Sequence, residues 1–303
     1  MNEFNFKSLG ETIRSIIVKL EITQKELADG ICSQSQISKI EKGEISPYID
    51  TLLKIALKLG INPNYFINII KKEQYEFITN SKNKVREYTK KKDYLEVKRL
   101  VTILEKHQAF KNLEEKQFIC WHKGIYLYYL EKDSSKALEK LEEALNLKNS
   151  IQATDQDIQI MNSIGIILGE ENQWEQAKMA FFHAVQIFKD SLSPMDITIL
   201  VKLYYNLSKV FYKLQQSKEA LEITNKGIEL AIENESNYLL GELLYQKGLI
   251  LADTGDISKG LDYLHQASSI FTIYKNEKYL NITQDKILLY RKDSYLQKVE
   301  NIY

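Results

Sequence analysis

The 303-residue sequence has few prolines, glycines and cysteines and no long apolar run. It contains 3 Pro, 12 Gly and 2 Cys, while hydrophobic residues make up 44%. Scarce proline and glycine argue against strands, linkers and disorder. Cys32 and Cys120 lie in unrelated segments, so we expect free thiols in a cytoplasmic protein. No stretch of about 18 apolar residues could span a membrane, and Met1–Lys7 lacks the apolar core of a signal peptide.

The sequence also lacks the residue clusters that catalysis and metal binding need. Its four histidines are scattered. Cys120 and His122 are two positions apart on a predicted helix, so their side chains should point in different directions. There is no glycine-rich phosphate loop, no G-x-S-x-G motif and no Cys/His cluster. We therefore predict a protein that is not an enzyme and uses no cofactor or metal ion.

Two short helical patterns around a tight turn occupy Thr23–Lys42. The first begins at Gln24, and the second runs from Gln34 to Lys42 around two apolar isoleucines. Two short helices at a steep angle, the second with a polar and basic outer face, form a helix-turn-helix. A small helical bundle without DNA-binding function could show the same pattern.

Amides, hydroxyls and ammonium groups reach base edges and phosphates. The candidate DNA contacts are Gln24, Ser33, Gln34, Ser35, Gln36, Ser38, Lys39 and Lys42.

Three further helical patterns flank this stretch and favour the DNA-binding interpretation. One precedes it over Leu9–Leu20, one ends at Gly60, and one begins at Pro63. These five helices, with S-x-I-S-x-I-E-x-G at Ser35–Gly43, resemble the DNA-binding domain of the Xre/lambda-repressor superfamily. The resemblance covers residues 8 to about 70. It implies that Gln24 opens the second helix and touches phosphate, and that the third helix reads bases.

The turn of the helix-turn-helix departs from the common superfamily pattern. It reads ICSQS over Ile31–Ser35, one residue shorter than usual, with Cys32 where a glycine is expected. This shortened turn resembles the PlcR-like family of peptide-sensing transcription regulators, in the group that includes Rgg, Rap, NprR, PlcR and PrgX. Chains of that family continue into helical repeats.

Net charge is zero overall but is unevenly distributed. Residues 1–72 carry 10 Lys and Arg against 8 Asp and Glu. Because this excess of positive charge is small, one domain neutralises few phosphates and should bind DNA weakly. A dimer doubles the phosphate contacts and so raises the affinity. We therefore expect a homodimer that binds two half-sites of a double-stranded DNA operator.

The remainder of the chain repeats a pair of helices at intervals of about 40 residues. Small residues recur at three positions of each unit, where they allow helix backbones to approach closely. They are Gly124, Gly165, Ser208 and Gly248 in the first helices, and Ala137, Ala177, Ala220 and Gly260, each followed seven residues later by another small residue, in the second helices. The pattern resembles the tetratricopeptide repeat, whose first helices line a concave groove that binds extended peptides.

We therefore predict an all-α chain in four parts. Residues 1–68 form a five-helix, lambda-repressor-like DNA-binding domain, and 69–82 form a linker helix. Residues 83–291 form a tetratricopeptide-like superhelix of about five repeats, of which the first, over 83–107, is degenerate. The last long helix is expected over Tyr279–Arg291, and residues 292–303 form a C-terminal tail or cap.

Two asparagines occupy similar places in consecutive units. Asn162 and Asn206 lie three and two residues before the small residue of their first helices, on or near the inward face. An amide offers both a donor and an acceptor, so it can hold a peptide backbone. An ordinary polar surface is the alternative.

The resemblance to the PlcR-like family adds further candidates. Its members carry a peptide-contacting asparagine at this place in two successive units, which implies that role for Asn162 and Asn206. It also implies peptide contacts at Lys90 and Lys92 in the first unit, and at Gln246 and Tyr279. A solvated basic turn is the alternative for the two lysines.

The resemblance implies a cytoplasmic, homodimeric transcription regulator of the quorum-sensing type, controlled by a short signalling peptide in the groove. One alternative keeps DNA binding but makes the repeats an arm that binds a partner protein. Another is a scaffold that acts on proteins and not on DNA.

Overall fold

The computed structural model describes residues 6–70, 72–147, 150–192 and 195–300, without the side chains of 70, 72–75 and 293–300. All regular secondary structure in these ranges is helical, which confirms the predicted all-α class. The chain divides into two compact units, residues 1–91 and 92–303. In the part of the chain that the structure describes, no helix is long and apolar enough to cross a membrane.

The described part of the first unit contains six helices. They are α1 (Phe6–Lys19), α2 (Gln24–Ala28), α3 (Gln34–Glu41), α4 (Ile49–Lys58), α5 (Pro63–Ile70) and α6 (Lys72–Lys91). The first five enclose an apolar core in which Leu9, Ile37 and Phe66 are fully buried. Helices α1 and α3 cross closely at Gly10, where a Cβ atom would lie 2.3 Å from the Ile40 carbonyl oxygen. The core therefore fixes α3 against α1 and leaves its opposite side accessible.

Helix α6 runs over Lys72–Lys91 without interruption. Most of the predicted linker over 69–82 therefore shares one helix with the start of the degenerate unit at 83, whereas residues 69 and 70 belong to α5. No proline or glycine occurs in this stretch to end it. Position 71, between α5 and α6, lies outside the described residues.

The second unit begins with α7 (Tyr94–Lys106) and a short 3-10 helix over Gln108–Phe110. Four helix pairs follow. They are α8 (Leu113–Tyr129) with α9 (Ser134–Asn146), α10 (Asp155–Glu170) with α11 (Trp174–Lys189), α12 (Ile197–Lys213) with α13 (Ser217–Glu233), and α14 (Leu240–Asp253) with α15 (Ile257–Ile273). The first helices α8, α10, α12 and α14 contact one another in sequence, so they form one continuous layer.

The predicted small residues lie where the helices of each pair meet. A Cβ atom on Gly165 would lie 2.6 Å from the ring of Phe181, and one on Gly248 would lie 2.8 Å from Leu264. Ala177 and Ser208 are fully buried. The small side chains therefore permit the close packing that each repeat requires.

The last helix, α16, is longer than predicted. It spans Glu277–Glu300, past the predicted end at Arg291. No proline or glycine occurs between these limits, so nothing in the local sequence ends the helix at 291. Most of the predicted tail is therefore helical, and residues 301–303 lie outside the described residues.

Candidate functional sites

Capping boxes fix the starts of both helices of the helix-turn-helix. The Thr23 hydroxyl accepts a hydrogen bond from the Glu26 backbone N–H over 3.1 Å, and the Glu26 carboxylate accepts one from Thr23 N–H over 2.7 Å. Ser33 and Gln36 exchange the same two bonds at 3.2 Å each. Between them Gly30 adopts a φ of +74°, which turns the chain sharply. The start of α3 is therefore set to within one residue.

Most candidate DNA contacts lie on the accessible side of α3. Ser38 is half-buried, and the exposed members are Ser33, Gln34, Ser35, Gln36, Lys39 and Lys42. The Ser33 hydroxyl and Gln36 Oε1 are already engaged in the capping box. The remaining amides, hydroxyl and ammonium groups form a polar, basic face suited to base edges and phosphates.

Gln24 is held by a residue that the sequence did not single out. Its Nε2 donates a hydrogen bond to Glu41 Oε2 over 2.8 Å, from the start of α2 to the end of α3. Glu41 is only 9% exposed, and its other carboxylate oxygen is buried without a hydrogen-bond partner. The predicted phosphate contact at the start of α2 is therefore bonded to the end of α3. The sequence signal for this pair is the place of Glu41 in the S-x-I-S-x-I-E-x-G pattern.

The two candidate asparagines of the repeats are brought together. Asn206 Nδ2 on α12 donates a hydrogen bond to Asn162 Oδ1 on α10 over 2.8 Å. Asn162 is 2% exposed, whereas Asn206 is half-buried. The pair therefore lies in the layer of first helices, with Asn206 nearer to solvent.

Two other candidates lie further along the repeat unit, on α14 and α16. Gln246 on α14 is 5% exposed, and its Nε2 is buried without a hydrogen-bond partner. Tyr279 on α16 packs at 5.1 Å from the ring of Phe271. Its hydroxyl lies beside that of Tyr205 on α12, whose pKa is raised by burial and by this neighbour.

The candidate lysines lie at the start of the repeats. Lys90 is exposed near the end of α6, and Lys92 follows with a φ of +60°. Lys92 is close enough to Lys209 on α12 to help lower its pKa, although burial is the larger cause. The structure therefore brings Lys92 near the helix that carries Asn206.

Several tyrosine hydroxyls donate hydrogen bonds to carboxylates at the ends of neighbouring helices. The Tyr128 hydroxyl donates to Glu171 and the Tyr129 hydroxyl to Glu170, both over 2.8 Å. Further along, the Tyr212 and Tyr290 hydroxyls both donate to Asp253. Sequence reasoning missed these pairs because the tyrosines lie 37 to 43 residues from their carboxylates and carry no local signal.

Comparisons with known proteins cover both units. A model described as the RNPP family C-terminal domain matches residues 82–297, and one described as helix-turn-helix matches residues 13–66. None of the curated proteins compared with the chain matches it by sequence.

Several solved structures share the fold. PlcR from Bacillus thuringiensis in complex with the peptide PapR7 and DNA is 29% identical, with a TM-score of 0.78 over 91% of this chain and 99% of that one. PlcR in its apo form is 27% identical, with a TM-score of 0.66 over 93% and 99%. The SHP pheromone receptor Rgg2 from Streptococcus dysgalactiae is 19% identical, with a TM-score of 0.65 over 94% and 99%; at this identity the likeness concerns the fold alone.

The RNPP model spans well over half of the chain, and the helix-turn-helix model covers the N-terminal domain. The fold is similar to that of PlcR over nearly the full length of PlcR, in agreement with both family models. The chain therefore belongs to the RNPP family of peptide-responsive, DNA-binding transcription regulators.

Proposed function

We propose that this chain acts in the cytoplasm as a homodimer whose affinity for a DNA operator is set by a short signalling peptide. The peptide binds along the layer of first helices in the repeat unit, and each subunit supplies one α3 to one half-site. The observation that carries the peptide assignment is the row of amides in this layer. The Asn162–Asn206 pair and the unpartnered Nε2 of Gln246 lie on three successive first helices.

An amide row suits an extended peptide because both have alternating donors and acceptors. Asn206 Nδ2 is committed to Asn162, so Asn206 Oδ1 is available to accept from a peptide N–H. The Gln246 Nε2 group can donate to a peptide carbonyl, which would satisfy a buried donor that otherwise lacks a partner. Both contacts hold the backbone and leave the choice of side chains to other residues.

The lining of this layer favours a peptide over a partner protein. The side chains of α12 that are not buried are Ile197, Thr198, Lys202, Tyr205, Asn206, Lys209, Tyr212 and Lys213. Only Ile197, in the first turn, is aliphatic, whereas a docking arm for a folded protein would present large apolar side chains at its centre. The partner-arm alternative therefore has less support.

DNA binding rests on the accessible face of α3. Gln34 and Ser35 lie in its first turn, and Lys39 and Lys42 lie toward its end. In a helix-turn-helix dimer the recognition helices enter successive major grooves, so the spacing of the two α3 helices decides operator affinity. A peptide shifts that affinity only by its differential affinity for the two states; factors of about 10–100 correspond to roughly 1.4–2.7 kcal/mol.

The test combines operator selection with peptide titration. The full-length chain is used to select duplexes from a randomised library, and its affinity for them is measured with and without peptides encoded in short secreted reading frames beside its gene. We expect a change of about tenfold or more with one such peptide. The change should disappear in Asn206→Ala and persist in a control variant, Lys226→Ala, on the second-helix layer.

The DNA-binding half is tested separately. Replacing Gln34, Gln36 and Lys39 together with alanine should abolish operator selection without changing peptide binding. Operator binding that ignores this triple substitution would favour a scaffold that acts on proteins. Operator binding that responds to none of the peptides would favour control by a partner protein.

A further inference from the structure

Helix α12 exposes a single stripe to the groove. Most residues from Ile199 to Phe211 are buried against α10, α11, α13 or α14, and only a few lie outside this packing. Lys202, Asn206 and Lys209 lie on the stripe at spacings of four and three, so they share one side of the helix. The two lysines therefore flank the asparagine that we assign to the peptide backbone.

Neither lysine is neutralised by the chain. No residue that the structure describes forms an ion pair or a hydrogen bond with the ammonium group of Lys202 or Lys209. Burial lowers the pKa of both groups. Lys209 is nevertheless exposed to solvent, and its ammonium group lies 5.4 Å from the ring centroid of Tyr205. A desolvated cation without a counter-charge is costly, and an anionic ligand would remove that cost.

Two further ammonium groups and one carboxylate lie near Lys209. Glu170 raises the pKa of Lys209, and the smaller influences of Lys213 and Lys92 lower it. The Glu170 carboxylate already accepts the Tyr129 hydroxyl. One engaged carboxylate therefore faces three ammonium groups.

A second carboxylate, Glu242 on α14, lies near Tyr205 in the same groove. Burial raises its pKa, and it lies within ion-pair distance of neither Lys202 nor Lys209. It does not supply the missing counter-charge.

The spacing of the two lysines defines the ligand. Seven residues along an α-helix span about 10 Å, and an extended peptide covers that distance in about three residues. Building on the peptide-binding function above, we propose that Lys202 and Lys209 select peptides that carry two carboxylates about three residues apart. One lysine binds each carboxylate, and Asn206 holds the backbone between them. The two carboxylates are either two acidic side chains or one acidic side chain and the C-terminal carboxylate.

Three mixtures of short random peptides test this proposal with the full-length chain on a solid support. The first fixes Asp or Glu three residues before a free C-terminus. The second fixes acidic residues three positions apart and ends in an amide. The third carries Asn or Gln at those positions and also ends in an amide. Retained peptides are quantified by mass spectrometry.

We expect the first or the second mixture to be retained about tenfold more than the third, since hydrogen bonds between charged groups are the stronger ones. Retention of the first assigns one lysine to the C-terminal carboxylate, and retention of the second alone assigns both lysines to side chains. Lys202→Met and Lys209→Met should each remove this preference. The control Lys226→Met should keep it, because Lys226 pairs with Glu222 on α13, in the layer of second helices.

The variants should fold, because replacing an unpaired, desolvated charge with an apolar side chain is often neutral or stabilising; thermal unfolding checks this. Equal retention of all three mixtures, or a preference that survives both substitutions, would overturn the lysine assignment and leave the peptide-binding function standing. Retention of no peptide from any mixture would overturn both.

Discussion

Asn206 donates a hydrogen bond from Nδ2 to Oδ1 of Asn162 over 2.8 Å, and so joins the first helices of two consecutive repeats. Because Asn162 is 2% exposed, the bond is part of the packing of the repeat unit. Asn206 remains half-buried and accessible to a ligand. The two positions therefore differ in their access to solvent, although their sequence contexts look alike.

We expect the two asparagines to be coupled in stability. Asn162→Ala leaves the Nδ2 group of Asn206 without its partner and should lower the free energy of unfolding by about 1–3 kcal/mol. Urea denaturation of Asn162→Ala, Asn206→Ala and the double variant forms a double-mutant cycle. A coupling of about 1 kcal/mol is expected for residues in direct contact. Strictly additive effects would show that the hydrogen bond adds nothing.

The Gln24–Glu41 hydrogen bond should stabilise the helix-turn-helix. Gln24→Ala removes the only described donor to a buried carboxylate, at an expected cost of about 1–3 kcal/mol in unfolding free energy. Hydrogen exchange of the α2 and α3 amides should accelerate in parallel. The control Lys25→Ala, at an exposed neighbouring position, should change stability by less than about 0.5 kcal/mol. Equal exchange rates in both variants would contradict a bracing role for Gln24.

Two glycines of α10 should respond in opposite ways to alanine. At Gly165 the added methyl would lie 2.6 Å from the ring of Phe181, whereas at Gly169 the nearest atom, in Trp174, is 3.5 Å away. Gly165→Ala should therefore destabilise the repeat unit by about 1–3 kcal/mol through overpacking. Gly169→Ala should stabilise it by up to about 1 kcal/mol through helix propensity. Thermal unfolding of both variants tests this prediction. A similar loss of stability at both positions would contradict the close contact at Gly165.

The tyrosine–carboxylate bonds should make the fold sensitive to alkali. Burial, followed by the bonded carboxylates, raises the pKa of Tyr128, Tyr129 and Tyr290 above the ordinary value, and burial raises that of Tyr94 to about 12. Unfolded tyrosines lose their protons near pH 10 while these folded ones keep them. The stability they contribute is therefore fully present below about pH 10 and is lost as pH rises through the folded values.

Ultraviolet absorbance of tyrosinate follows this titration directly. The folded chain should titrate part of its tyrosines well above about pH 10, in contrast to the urea-denatured chain. Tyr290→Phe should shrink the delayed fraction. Coincident titration curves for the folded and denatured chains would show that these hydroxyls are not protected.

Much of the architecture follows from local patterns. The capping residues Thr23 and Ser33 mark the starts of α2 and α3, and Pro63 opens α5. The helix boundaries that were predicted wrongly lie where no proline or glycine marks the end of a helix, as in the continuation of α16 to Glu300. The candidate DNA contacts were predicted from the helix-turn-helix motif, and the peptide contacts from repeat position and from the family resemblance. Their roles remain predictions for the experiments above.

The amino-acid sequence by itself determined the helices, the repeat register and the family, because caps, apolar periodicity and small residues act over a few neighbouring positions. Only the tertiary structure decided which polar groups meet. Gln24 and Glu41 are 17 residues apart and Asn162 and Asn206 are 44 apart, and the lack of an ion-pair partner at Lys202 and Lys209 depends on the helices packed around α12. Hydrogen bonding and desolvation depend on distances in space, which local sequence patterns do not encode.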